Sequence, residues 1–274
     1  MPIKIEKLNS DSILVYNYLK LMENRKIEQA KNMLSNDFRM IFPGSMKFQY
    51  LDELIYYGKK RQISVFKTFE SFEEVKKISS KIIYVRGKLF GRTLNNKKFH
   101  DIRYIDKFIL LNEKFVRQEV WNDYAIHNQM DNNYPVPEID ETSFKTNQID
   151  LPINSEVLEF IYSLDLREYN LRFSTLDKKF TATLPGKKLI TSKDFGKYLD
   201  KQKKSRKRMI SEIHLIENNK FQVIFLNGWV SGIDYERKKY KNIRFIERIK
   251  FDNISTKIES YEIWDDLADH GFKF

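Results

Sequence analysis

The chain has no cysteine among its 274 residues. Disulfide frameworks and thiolate chemistry are therefore excluded, and a reducing, cytoplasmic setting is the expectation. Histidine is scarce. The four, His100, His127, His214 and His270, are scattered without metal-ligand spacing, so neither a metal nor a cofactor is expected. No run of about 18 apolar residues exists, so no membrane span is expected. The opening MPIKIEKLNSDS has no apolar stretch after its charges and does not read as a secretory signal. Proline is limited to six residues, and three of them fall in 127–152, a polar stretch without periodicity. That stretch is expected to be a linker, stiffened by Pro135 and Pro137.

What is present is repetition. FRMIFPG at 38–44 returns as FTATLPG at 180–186, and GKLFG at 87–91 as GWVSG at 228–232. IRYIDKF at 102–108 returns as IRFIERI at 243–249, and QEVWNDYA at 118–125 as YEIWDDLA at 261–268. Order is kept and the offset stays between 141 and 143 residues. A period this long indicates a domain duplication, because solenoid repeats run roughly 20 to 50 residues. The expected division is 1–126, a linker at 127–152, and 153–274.

Each half runs from helices to strands. Leucine, isoleucine and tyrosine recur at helical spacing from residue 10, with Ser10 or Asp11 as the cap, and a second short helix is expected over 26–34. FRMIF reads as a strand stopped by Pro43–Gly44, and 50–62 as a helix. Strands are expected over 66–77, 81–94, 99–111 and 114–124, with turns at Asn95–Asn96 and Leu111–Asn112–Glu113. The second half predicts helices over 155–164, capped by Asn154 or Ser155, and over 193–208. Its strands follow over 211–217, 220–233, 239–251 and 255–267. This is an α+β pattern with helices covering one face of an antiparallel sheet. The paired glycines of GKLFG and GWVSG are expected at bulges or bends, not at a phosphate site.

The net charge is +11, with 24 basic and 18 acidic residues up to residue 140 and 25 and 20 after it. An even surplus reads as a lysine-rich solvated surface. The densest cluster, KQKKSRKR at 201–208, is expected on a helix as a solvated stripe or a contact for an anionic partner. It lacks interleaved aromatics, which disfavours a nucleic-acid partner.

The ordered set of LSNDFRMIFPG, IRYIDKF and a last strand ending WND followed by Tyr-Ala, found twice, resembles the nuclear transport factor 2-like superfamily, in its SnoaL-like (polyketide-cyclase-like) branch. The resemblance implies two cone-shaped domains, each with N-terminal helices packed on a curved sheet around an apolar cavity. It also implies pairing sheet against sheet, here as an intramolecular pseudo-dimer or a homodimer. The function it implies is binding of a small apolar or polycyclic molecule, with cofactor-independent cyclisation, isomerisation or dehydration if the protein is an enzyme. A non-catalytic interaction module is the competing class, since fold does not decide function.

Alternation along 102–108 puts Ile102, Tyr104, Asp106 and Phe108 on one face and Arg103, Ile105 and Lys107 on the other. Asp106 and Glu247 are thus expected inward, where burial raises a carboxyl's pKa and suits it to acid–base work. Along the last strand Glu119, Trp121 and Asp123 share a face, matched by Glu262, Trp264 and Asp266. The resemblance implies an acid–base role for Asp123 and Asp266. Asp106, Asp123 and Tyr104 are the expected catalytic set, with Tyr104 as hydrogen-bond donor. Arg103, Glu119, Trp121 and His100 are expected around the ligand in the first copy, and Glu247, Trp264 and Asp266 in the second. Phe245 replaces Tyr104 in the second copy, so that half is expected to be the structural partner. The competing reading makes the carboxylates members of ion pairs with neighbouring Lys or Arg, and the tryptophans core.

Overall fold

The computed structural model describes residues 5–128, 134–137, 153–164, 171–189, 191–202, 206–218 and 220–273. The chain divides into two compact units, Met1–His127 and Asn128–Phe274.

In the first unit, helix α1 (Ser10–Glu23) is capped not by its own first residues but by Asn9, whose side chain accepts from the Ser12 amide at 2.8 Å. Its buried face carries Val15, Tyr18 and Leu19. Arg25 in the left-handed region (φ 57°) turns the chain into α2 (Ile27–Lys31). Strand β1 (Leu34–Phe42) ends at Pro43–Gly44, where φ 76° suits glycine. The chain then runs through β2 (Met46–Phe48) and α3 (Leu51–Lys59). Five strands follow: β3 (Gln62–Lys67), β4 (Ser71–Lys76), β5 (Lys81–Thr93), β6 (Lys98–Leu111) and β7 (Lys114–Asn122). Helix α4 (Tyr124–Asn128) ends the unit. Strand order is β2-β1-β7-β6-β5-β3, with β4 also on β5. Pairing is antiparallel except for β1 on β7, which is parallel.

The second unit repeats the plan. Helix α5 (Ser155–Ser163) is capped by Asn154, which accepts from the Glu156 amide at 2.9 Å. Strands β8 (Leu176–Leu184) and β9 (Lys187–Leu189) and helix α6 (Ser192–Gln202) come next. Strands β10 (Arg206–Glu217), β11 (Phe221–Ile233), β12 (Lys239–Asp252) and β13 (Ile258–Asp265) complete it, in the order β10-β11-β12-β13-β8-β9. One core of α5 (Val157, Phe160), α6 (Phe195, Leu199) and strand residues such as Ile224, Ile249, Tyr261 and Ile263 identifies the helix-covered face of the sheet.

Besides the cap of α1, the strand expected over 66–77 divides into β3 and β4, and two larger expectations change. The helix predicted over 193–208 stops at Gln202, and Arg206–Arg208 belong to a strand paired with β11. Cross-strand pairing overrides local helix propensity there. The basic cluster is thus no helical stripe, although 203–205 lie outside the described residues. Of the predicted linker, the part at 134–137 is fastened to the second unit: His270 Nδ1 meets the Tyr134 carbonyl at 2.8 Å, and Val136 packs against the cluster of Val230, Tyr240, Ile243, Phe245 and Leu267. Residues 129–133 and 138–152 lie outside the described residues.

The glycines behave as expected of bends. Register shifts between Leu89 and Gly91 and between Val230 and Gly232. A Cβ on Gly87 would stand 2.1 Å from the Thr68 carbonyl oxygen, and on Gly228 2.0 Å from that of Met209.

Candidate functional site

Opposed residues of an antiparallel pair share a face of the sheet. Between β6 and β7 the opposed pairs are Asp106–Val120, Lys107–Glu119, Phe108–Gln118 and Ile105–Trp121. Asp106 therefore shares its face with Tyr104, Phe108 and Gln118. Glu119, Trp121 and Asp123 lie on the other face with Arg103 and Lys107. The helices cover the Asp106 side, where Tyr18 of α1 packs edge-on against Phe108. Asp106 and Asp123 are on opposite sides of the sheet and cannot act on one substrate, which corrects the catalytic set read from the sequence.

On the helix side, Asp106 is fully buried. Its Oδ2 accepts from Lys67 Nζ of β3 and from Gln118 Nε2 at 3.4 Å. Tyr18 extends the chain by donating to Gln118 Oε1 at 3.4 Å. Burial pushes the Asp106 carboxyl above its usual range, and the Lys67 ammonium offsets this only in part. Burial, with the Asp106 charge, also raises the Tyr18 hydroxyl. A cavity of about 160 Å³ opens onto this array. Leu19 and Met22 of α1, Phe42 of β1, Leu54, Ile55 and Gly58 of α3, and Val65 of β3 supply its apolar lining, while Lys67, Gln118, Tyr18 and Glu23, together with Arg25 and Gln62, supply its polar lining. Glu23 also accepts from the Lys67 amide at 2.8 Å, which fixes the strand carrying the ammonium. Such a polar lining can donate a hydrogen bond or a proton to an oxygen atom of a bound molecule.

The second unit reproduces the array. Arg208 stands 141 residues after Lys67, Glu247 141 after Asp106, and Tyr261 143 after Gln118. The registers agree, since Lys67 opposes Leu89 as Arg208 opposes Val230. Arg208 binds Glu247, and its Nη2 also donates to the Ile161 carbonyl at 3.2 Å. Tyr261 donates to Glu247 at 2.8 Å. The surrounding space is filled differently. Leu54 and Gly58 are matched by Phe195 and Leu199, both buried. Phe195 packs on Phe160, Phe180 and Tyr261 with centroids 6.2, 5.3 and 5.2 Å apart.

Of the other predicted residues, only Tyr104 borders this array. The Tyr104 hydroxyl donates to the Thr68 carbonyl at 2.9 Å, and its ring sits 4.3 Å from Lys67 Nζ. Asp123 holds Arg103 through Nε at 2.7 Å and Nη2 at 3.3 Å. Its counterpart Asp266 faces Arg244 Nε at 3.8 Å. Glu119 pairs with Arg117 at 2.6 Å and faces Lys107 at 3.8 Å. Trp121 and Trp264 are core. The His100 side chain is 80% exposed, beside Asp101, and away from the cavity wall. Sequence reasoning missed Lys67, Gln118 and Tyr18 as site residues, yet the recurrence of a basic residue at positions 67 and 208 carried the signal. Among the described residues no acid–histidine group could hold a metal, and no helix is long and apolar enough to cross a membrane.

No family model and no curated protein matches the chain. Solved structures do. The chain is similar to nuclear transport factor 2-like structures. One, a protein of unknown function from Burkholderia pseudomallei, has 15% identity and a TM-score of 0.38, covering 44% of this chain and 97% of its own. TerC co-crystallised with polyporic acid has 11% identity and a TM-score of 0.38, with the same coverages. A candidate SnoaL-like polyketide cyclase from Jannaschia sp. has 10% identity and a TM-score of 0.35, covering 43% of this chain and 88% of its own. Each spans about half of this chain.

Proposed function

We propose that the first unit binds a small apolar molecule bearing one oxygen function, and that the second unit is its closed structural counterpart. The observation that supports this is the apolar cavity ending on Lys67, whose ammonium is held by the buried Asp106. The volume of about 160 Å³ suits one ring better than a polycycle. An engineered apolar cavity of about 150 Å³ takes up benzene. If the protein is an enzyme, its acid–base chemistry belongs to the Lys67–Asp106 pair, with Lys67 facing the ligand and Asp106 behind it.

The test uses 4-fluorophenol as probe, followed by 19F NMR with the full chain. Saturable binding is expected. Gly58→Leu, which copies Leu199 into the cavity wall, should abolish it. Lys67→Met combined with Asp106→Asn removes the Lys67–Asp106 ion pair without stranding either charge, and should weaken binding about tenfold. A probe signal indifferent to the protein, or equally perturbed by the Gly58→Leu variant, rejects the reading.

A further inference from the structure

The two units differ in which cation meets the buried carboxylate. Lys67 holds that place where a cavity is open, and Arg208 where the core is closed. Either cation serves an ion pair, and arginine makes the better fork on a carboxylate. What lysine adds is chemistry. An ammonium can give up its proton and attack a carbonyl carbon, whereas a guanidinium stays charged in proteins. Among the described residues, Lys67 is also the one lysine that lines the cavity.

The neighbours of Lys67 suit that chemistry. Asp106 Oδ2 accepts from Lys67 Nζ, while Asp106 Oδ1 is buried and has no hydrogen-bond partner. An oxygen left in that state is free to hold a proton. Burial raises the Asp106 carboxyl, so it takes up a proton more readily than an exposed carboxylate would. The Tyr104 ring lies 4.3 Å from Lys67 Nζ, and its face stabilises a cation on that nitrogen. Leu19, Leu54 and Val65 line the same cavity and offer a bound molecule an apolar wall.

We propose that Lys67 forms a protonated imine with a small apolar aldehyde held in the cavity, with Asp106 as proton acceptor and counter-ion. The inference rests on the reading of this cavity as a ligand site, and makes the aldehyde the oxygen function of that ligand. The ammonium first passes a proton to Asp106. The free amine then adds to the aldehyde carbon, forming the C–N bond, and an amine proton moves to the former carbonyl oxygen. Asp106 returns its proton to that hydroxyl, which leaves as water while the nitrogen lone pair closes the C=N bond. The product is a cationic imine facing the Asp106 carboxylate, so the pair carries the same charges before and after.

The experiment incubates the full chain with benzaldehyde and sodium cyanoborohydride, which reduces a protonated imine to a stable benzylamine. Peptide mass mapping then locates the labelled lysines. Lys67 is expected to be labelled at least about tenfold faster than the exposed Lys59 and Lys98, because the cavity holds amine and aldehyde together. Its rate should saturate with benzaldehyde, and 4-fluorophenol should protect Lys67 without protecting the other two. Lys67→Arg keeps a cation beside Asp106, as Arg208 does beside Glu247, and should remove the saturable phase of total incorporation. Labelling of Lys67 no faster than that of Lys59 and Lys98 overturns the proposal, as does fast labelling that 4-fluorophenol does not slow. If 4-fluorophenol binds but Lys67 is not preferred, the imine falls and the cavity reading stands. If 4-fluorophenol does not bind, both fall.

Discussion

Three basic–acidic pairs recur in both units at the repeat offset: Lys67–Asp106 with Arg208–Glu247, Arg103–Asp123 with Arg244–Asp266, and Lys107–Glu119 with Arg248–Glu262. Recurrence alone does not separate folding from chemistry, but solvent exposure does. Arg208 and Glu247 are both sealed, at 2% and 0% side-chain exposure, whereas Lys67 keeps 17% and faces a cavity. Removing one member of a sealed pair leaves an uncompensated charge. Glu247→Leu should therefore cost about 3–5 kcal/mol, and adding Arg208→Leu should recover most of it. Urea denaturation measures both, and equal stability of single and double variants would refute the argument. Asp106 bears on pH. Its folded carboxyl lies above the ordinary value of 3.8 because it is buried. The native state thus holds that proton more tightly than the unfolded chain does. The stability it contributes is full below 3.8 and lost as pH rises through the folded value. Wild type should lose stability relative to Asp106→Asn across that rise in a series of urea melts. The opposite slope would mean that the Lys67 pairing outweighs burial.

At the scale of elements, glycines distinguish positions set by backbone contact from positions left open. Gly228→Ala would drive a Cβ to 2.0 Å from the Met209 oxygen, and Gly87→Ala to 2.1 Å from that of Thr68. Met209 lies within β10, and Thr68, just past the end of β3, is tied by its amide to the Lys88 carbonyl at 2.8 Å, so neither backbone can step aside and each substitution should cost more than about 2 kcal/mol. Gly58 near the end of α3 meets nothing within 4 Å, and Gly58→Ala should gain about 0.5–1 kcal/mol. A loss there would show that the space beside α3 is not open. Gly87 and Gly228, the capping residue Asn154 and the inward carboxylates Asp106 and Glu247 were legible from local pattern, whereas the open position at Gly58 was not. Strand register was not. Alternation assigns two faces to β6 and two to β7, yet it does not say which face of one meets which face of the other. A one-residue slip exchanges them, and this is how Asp106 and Asp123 came to be grouped. Nor does local pattern show that Arg206 and Arg208 extend a strand, because their partners lie more than twenty residues onward in β11.

Over the whole molecule the duplication was legible, since offsets survive where identities do not. The divergence of the two units was only latent in those offsets, because a cavity depends on what every wall contributes at once. Gly58 against Leu199, Leu54 against Phe195 and Gln118 against Tyr261 each add bulk to the second unit, and together they occupy the region that stays open in the first. Two copies of one fold therefore predict one cavity ligand per chain, not two. A 19F titration of 4-fluorophenol should saturate at one equivalent. Leu199→Ala removes volume from the packed helix–sheet core of the second unit, at a cost of about 2–5 kcal/mol. An apolar cavity made this way stays dry and accepts a ring of benzene size, so the variant should take up a second equivalent, weaker than the first because Arg208 is already bound by Glu247 and the Ile161 carbonyl. Two equal equivalents in the wild type would mean that the second unit is as open as the first, and the division of labour between the units would fall.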